Sequence, residues 1–152
     1  MKNTSILTRI YFALCLDAVI LTLAATAAVY PSLADQIPTH WNVRGEIDSY
    51  GSKQMAFLMP AVMAAFLGLF CVLPWLSPKQ FEISTFRETY WFIALVMIVL
   101  FGYIHGLTLF SAMRGEIDIM RALLVGLLVM FGLLGSVMSG IRRNFWMGVR
   151  TP

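Results

Sequence analysis

Charge is what this chain has least of. Only 12% of its 152 residues are Asp, Glu, Lys or Arg, while 59% are hydrophobic. A globule of this size has too little interior to hide so much apolar surface, which excludes a soluble domain. Cysteine is equally scarce. Cys15 and Cys71 both lie inside apolar runs, so no disulfide framework is indicated and both read as small buried hydrophobes. Histidine occurs only as His40 and His105, and neither sits in a triad or zinc-protease spacing. The net charge of +3 comes from cations placed where topology and anionic headgroups put them. It requires no nucleic-acid partner.

What the chain does have is four apolar runs, roughly 10–30, 55–76, 90–112 and 122–141. Each is about the 20 residues that cross a bilayer's hydrocarbon. The fold class that follows is an all-α membrane protein, a four-transmembrane-helix bundle forming a single integral membrane domain over residues 1–152. It carries a structured extracytoplasmic loop, 31–53, between the first two helices, and a tail at 142–152. Lys2, Arg9, Lys79, Arg87, Arg142, Arg143 and Arg150 fall on one side, against Arg44, Lys53, Arg114 and Arg121 on the other. That excess places both termini in the cytoplasm of a multi-pass plasma-membrane protein. The first run also has the outline of a cleavable signal peptide ending near Ala25-Thr26-Ala27, but its length and its acid at position 17 weigh against that reading.

That acid, Asp17, is costly in a membrane helix unless it faces protein or water. It shares a helical face with Ala13, Ala24 and Ala28, a small-residue seam for close packing, so Asp17 is expected to point into the bundle. Its depth matches Cys71, Ser136 and Ser139 by counting rises from the inner ends. A second small face, Ala61, Ala64, Ala65 and Gly68, lies on the next helix, and Pro60 suggests a kink there. On the third helix Gly102, His105 and Gly106 share a close-approach face. His105 falls in the outer third, roughly 13 Å in depth from Asp17, which argues against a direct pair. Trp75, Tyr90 and Trp91 supply an aromatic belt at the inner interface.

The polar stretch Leu33 to Lys53 is the place for recognition. Ile37-Pro38 forces an extended backbone, Thr39-His40-Trp41-Asn42 presents polar and aromatic groups together, and Gly45 and Gly51 mark turns around Glu46 and Asp48. Its bland reading is a Trp anchor at headgroup depth. Arg44-Gly45-Glu46-Ile47-Asp48 recurs letter for letter as Arg114-Gly115-Glu116-Ile117-Asp118, either the trace of a duplicated hairpin or convergent turn chemistry. His40, Glu46, Asp48 and His105, with Glu116 and Asp118, could hold a divalent ion, although the spacing matches no defined metal motif. No cofactor is otherwise expected.

The run Gln36-Ile37-Pro38-Thr39-His40-Trp41-Asn42, followed by Gly45, Asp48, Gly51-Ser52-Lys53 and an early Pro60, resembles the small membrane domain at the front of SdpI-type bacterial proteins. The tail Asn144-x-x-x-Gly148-Val149-Arg150-Thr151-Pro152 is similar to that family's second signature. The resemblance implies an immunity protein of the plasma membrane that protects the cell from a secreted peptide toxin. It also implies signalling, by sequestering a transcriptional repressor at the membrane. Pro38, His40, Asn42, Gly45 and Asp48 would then face the toxin, with Trp41 and Glu46 beside them, and Asn144, Gly148, Arg150, Thr151 and Pro152 the cytoplasm. The family's Arg-Thr-Pro run continues into Trp-Thr-Leu, absent here, which implies a short or truncated member and weakens the signalling half of the transfer. Two other classes stay open. A metal-dependent hydrolase would draw on the outer His and acid cluster, and a proton or ion carrier on Asp17 and His105.

Overall fold

A computed structural model describes residues 5–76, 83–115 and 117–138 of the chain. Four helices are long and apolar enough to cross a membrane, and the protein is a multi-pass membrane protein. They are α1 (Ile6–Val29), α2 (Leu58–Leu76), α3 (Arg87–Arg114) and α4 (Ile119–Val137). Between α1 and α2 stand two antiparallel strands, β1 (Gln36–Trp41) and β2 (Ile47–Ser52), flanked by short 3-10 turns at Tyr30–Ser32 and Lys53–Phe57. The expected outer loop is therefore a β-hairpin. A further 3-10 turn, Ile83–Phe86, leads into α3.

The bundle is organised around α3, which packs on α1, α2 and α4. Its 28 residues span about 42 Å at 1.5 Å per residue, more than the hydrocarbon needs. The excess carries Leu109 and Ala112 up to the hairpin, where they pack with Leu33, Ile37 and Ala56. A larger core joins Cys15 and Val19 of α1, Met63, Leu67 and Phe70 of α2, and Tyr90, Ala94 and Ile98 of α3. Tyr90 is fully buried and its hydroxyl donates to the Phe70 carbonyl at 2.6 Å. It is a core residue, not part of an interfacial belt.

Helix packing differs from the expected small-residue seams. Ala13, Ala24 and Ala28 on α1, and Ala61, Ala64, Ala65 and Gly68 on α2, are all exposed. Large side chains, Met63, Leu67 and Phe70, fill the inner face of α2 instead, because the two helices meet α3 through interdigitating bulk. Gly102 is the exception. A Cβ there would stand 3.3 Å from Thr22 Oγ1 and 3.5 Å from Met63 Cε, whereas nothing lies within 4 Å of a Cβ at Gly106. Pro60 sits in the first turn of α2, where its missing N–H leaves no bond unmade, so it starts the helix without kinking it. Cys15 is buried as expected, but Cys71 is exposed.

Candidate functional site

Buried residues at the hairpin's base tie it to the bundle. Ile37 and Pro38 are buried, Lys53 Nζ lies 3.0 Å from Asp35 Oδ1 and 5.6 Å above the Tyr30 ring, and Tyr30 packs on Phe57. Gly51 is not a turn residue. It pairs with Ile37 inside β2, and a Cβ there would collide with Met55 Sδ and stand 2.9 Å from Thr39 Cγ2. Register shifts between Pro38 and His40, and again between His40 and Trp41, bend the ladder. They leave His40 and Asp48 side by side on the exposed face, with Nδ1 and Oδ1 2.6 Å apart.

The turn itself is built by Asn42. Its Oδ1 accepts from the backbone N–H groups of Arg44 at 2.8 Å and Glu46 at 3.1 Å. Its Nδ2 donates to Glu46 Oε2 at 2.7 Å, and Arg44 Nε donates to the same oxygen at 3.1 Å. The Gly45 N–H closes the turn on the Asn42 carbonyl at 2.9 Å, and Gly45 takes φ 81°, a region that favours glycine. Asn42 and Glu46 are thus engaged within the turn and hold the tip's shape. Replacing Asn42 with Ala orphans two backbone donors and frees the Glu46 carboxylate. Opening of the tip should become easier by about 1–3 kcal/mol. Hydrogen exchange at the Arg44, Gly45 and Glu46 amides should then accelerate, while that of Ile37 and Gly51 at the base stays as it was.

The turn leans on the start of α4. A Cβ at Gly45 would come within 3.3 Å of Met120 Cγ and 3.6 Å of Ile119 Cγ2. Between the hairpin and the α3–α4 connection lies a groove of about 370 Å³ lined by Trp41, Arg44, Glu46, Tyr50, Ser111 and Ile117 among others. The two copies of the recurring pentapeptide therefore meet across one space. They sit in different elements, the first running from the hairpin turn into β2 and the second from the last residue of α3 to the residue before α4. What they share is the glycine, since Gly115 takes φ 86° as Gly45 takes 81°. In the second copy Asp118 caps α4, its Oδ1 accepting from the Arg121 N–H at 3.0 Å, with Arg121 Nε 3.3 Å from Oδ2. Glu116 lies outside the described residues.

The other singled-out groups do not join this groove. His105 is buried between α3 and α1, its Nε2 2.7 Å from Thr26 Oγ1. The Thr26 hydroxyl donates to the Thr22 carbonyl at 2.8 Å, so it accepts from the His105 ring N–H. Thr26, fully buried, was not legible as a partner; a hydroxyl within an apolar run was its only signal. Asp17 does not point inward. It is exposed and makes no hydrogen bond or ion pair among the described residues. Of its expected neighbours, Ser136 is exposed and donates to Leu133 O, Cys71 is exposed, and Ser139 lies outside the described residues. The direction follows from which α1 residues α3 and α2 engage: Cys15, Val19 and Thr26 face inward, and Asp17 falls on the far side.

His40, Glu46, Asp48 and His105 are accordingly divided among three separate contacts. Among the described residues no group of three or more His, Cys, Asp or Glu side chains is placed to hold a metal ion. The tail residues Asn144, Gly148, Arg150, Thr151 and Pro152 lie outside the described residues. Sequence reasoning missed Tyr50 and Ser111, which line the groove because the hairpin folds over α3; Ile117 belongs to the repeated pentapeptide, the signal that pointed there.

No curated protein and no solved structure matches this chain. One family, described as a domain of unknown function (DUF1648), matches residues 18–64, a span that begins midway along α1, takes in the whole hairpin and ends in the early turns of α2.

Proposed function

We propose that this is a binding and immunity protein of the bacterial plasma membrane. In this reading both termini are cytoplasmic and the hairpin stands outside. It captures a secreted membrane-active peptide before that peptide disrupts the bilayer. The supporting observation is the hairpin itself: a connector of this length needs no buried anchor and no side-chain-built turn, and this one has both. Its groove combines the aromatic faces of Trp41 and Tyr50 with the charges of Arg44 and Glu46. That is the mixture an amphipathic peptide lying at the headgroup boundary can use. Recognition of this kind needs no bond-making residue. Sequestration of a repressor would fall to the tail at 142–152.

The test is protection. A source strain deleted for this chain should become sensitive to the peptide fraction of its own spent medium. Wild-type protein should restore growth, and the pair His40→Ala with Trp41→Ala should lower the tolerated dose at least about ten-fold, as expected for loss of an interfacial aromatic anchor worth some 2 kcal/mol. Membrane abundance of the variant must equal wild type. A deletion strain as tolerant as its parent overturns the proposal.

A further inference from the structure

At the end of the bundle opposite the hairpin, the start of α1, the end of α2 and the start of α3 border an open cavity of about 340 Å³. Two arginines line it, Arg9 from the first turns of α1 and Arg87 from the first residue of α3, together with the aromatic residues Phe12, Trp75 and Trp91. Both arginines are exposed, and among the described residues neither makes an ion pair. The N-cap residue of α3, Phe86, offers no side-chain hydrogen bond to the helix start, and Glu88 is the acid in its first turn; the partial positive charge of that helix end offsets part of the Glu88 charge beside Arg87. The wall beneath is apolar. Phe12 stacks edge-on against Trp91 with ring centroids 5.0 Å apart, and Phe12, Cys71 and Trp75 are all exposed. Trp75, 89% exposed at the last turn of α2, stands where tryptophan marks the headgroup level.

We propose that this cavity is a binding site for an anionic phospholipid, with the headgroup phosphate held by Arg9 and Arg87 and an acyl chain laid along Phe12 and the adjoining apolar wall. Guanidinium pairs suit phosphate because their fork of N–H donors matches its oxygens. The location is where basic pockets between membrane helices take acidic headgroups. Inorganic phosphate shares the headgroup chemistry but would leave the aromatic wall unused, so the lipid is the favoured source. The site lies at the far end from the hairpin groove and does not depend on what that groove binds.

The full chain, purified in a neutral detergent, is compared with phosphatidylglycerol, phosphatidylcholine or inorganic phosphate added. Native mass spectrometry should show one phosphatidylglycerol retained at least about ten-fold over phosphatidylcholine, with a matching rise in melting temperature, and phosphate alone should give no rise. Arg9→Gln with Arg87→Gln should bring the preference close to one. As a readout independent of that variant's folding, the wild-type protein is also mixed with brominated lipid at trace level: brominated phosphatidylglycerol should quench tryptophan fluorescence more strongly than brominated phosphatidylcholine. Equal retention and equal quenching of the two lipids overturn the proposal, as does a folded double variant that keeps its preference. A full melting shift with phosphate alone overturns the lipid as the source.

Discussion

Replacing Asp17 with Leu should make α1 insert more readily, by about 3–4 kcal/mol on an apparent insertion scale where a central Asp is unfavourable by 2.5–3.5 and a Leu favourable by a few tenths. The reason lies in two facts that only together are informative. Residue 17 stands midway along a helix running from Ile6 to Val29, one long and apolar enough to cross a membrane, and its side chain is exposed on the face turned away from α3. Among the described residues it makes no hydrogen bond or ion pair that leucine would lose. In a glycosylation-mapping assay the fraction of inserted α1 should rise, and the folded protein in detergent should melt no lower than wild type. A lower melting temperature for Asp17→Leu would mean that the carboxyl does have a structural partner. The same result bears on ion carriage, since Asp17 lies on the outward face of α1 while His105 is enclosed between α1 and α3.

Gly126→Val should have the largest effect on the folded bundle. A Cβ at position 126 would fall 2.6 Å from Tyr103 Cε1 and 2.9 Å from Cδ1, well inside any tolerable contact. The ring cannot swing aside freely, because its hydroxyl donates to the Ala122 carbonyl at 2.8 Å. Few other contacts hold α4: only Ile119 and Met130 are buried along it, with Met130 packed against Val96 and Leu100. Overpacking at this point, with loss of the tyrosine hydrogen bond, should destabilise the α3–α4 contact by about 3 kcal/mol. The signature is a lowered unfolding midpoint in detergent together with proteolysis near residues 115–118. Gly132→Val, where nothing lies within 4 Å of the added carbon, is the control and should behave as wild type.

These two glycines show where reading a helix from its sequence stops. Both look alike in the chain, as do Gly102 and Gly106, and only a neighbour on another helix separates them. The same limit explains Asp17. Its alanine-rich face has the pattern of a packing seam, yet α1 meets its neighbours through Cys15, Val19 and Thr26. In a bilayer both bulky apolar residues and small ones are at home against lipid, so composition does not say which face turns inward. Tyr90 reads as a belt residue from its place near a helix end, and is core because Phe70 of α2 offers it a carbonyl.

The chain's own order of residues settled the spanning segments, since hydrocarbon thickness and the cost of unpaired backbone groups leave a 20-residue apolar run little choice but a helix. It also settled that the polar interval between the first two helices is the distinctive part, and that Gly45 turns. Tertiary structure alone decided that this interval is a hairpin anchored by Ile37 on Leu109, that Asn42 builds its tip, and that the tip lies against α4 to close a groove. Those outcomes depend on contacts between residues far apart in the chain, whose geometry is set by how α3 gathers the other helices, and no local pattern encodes it.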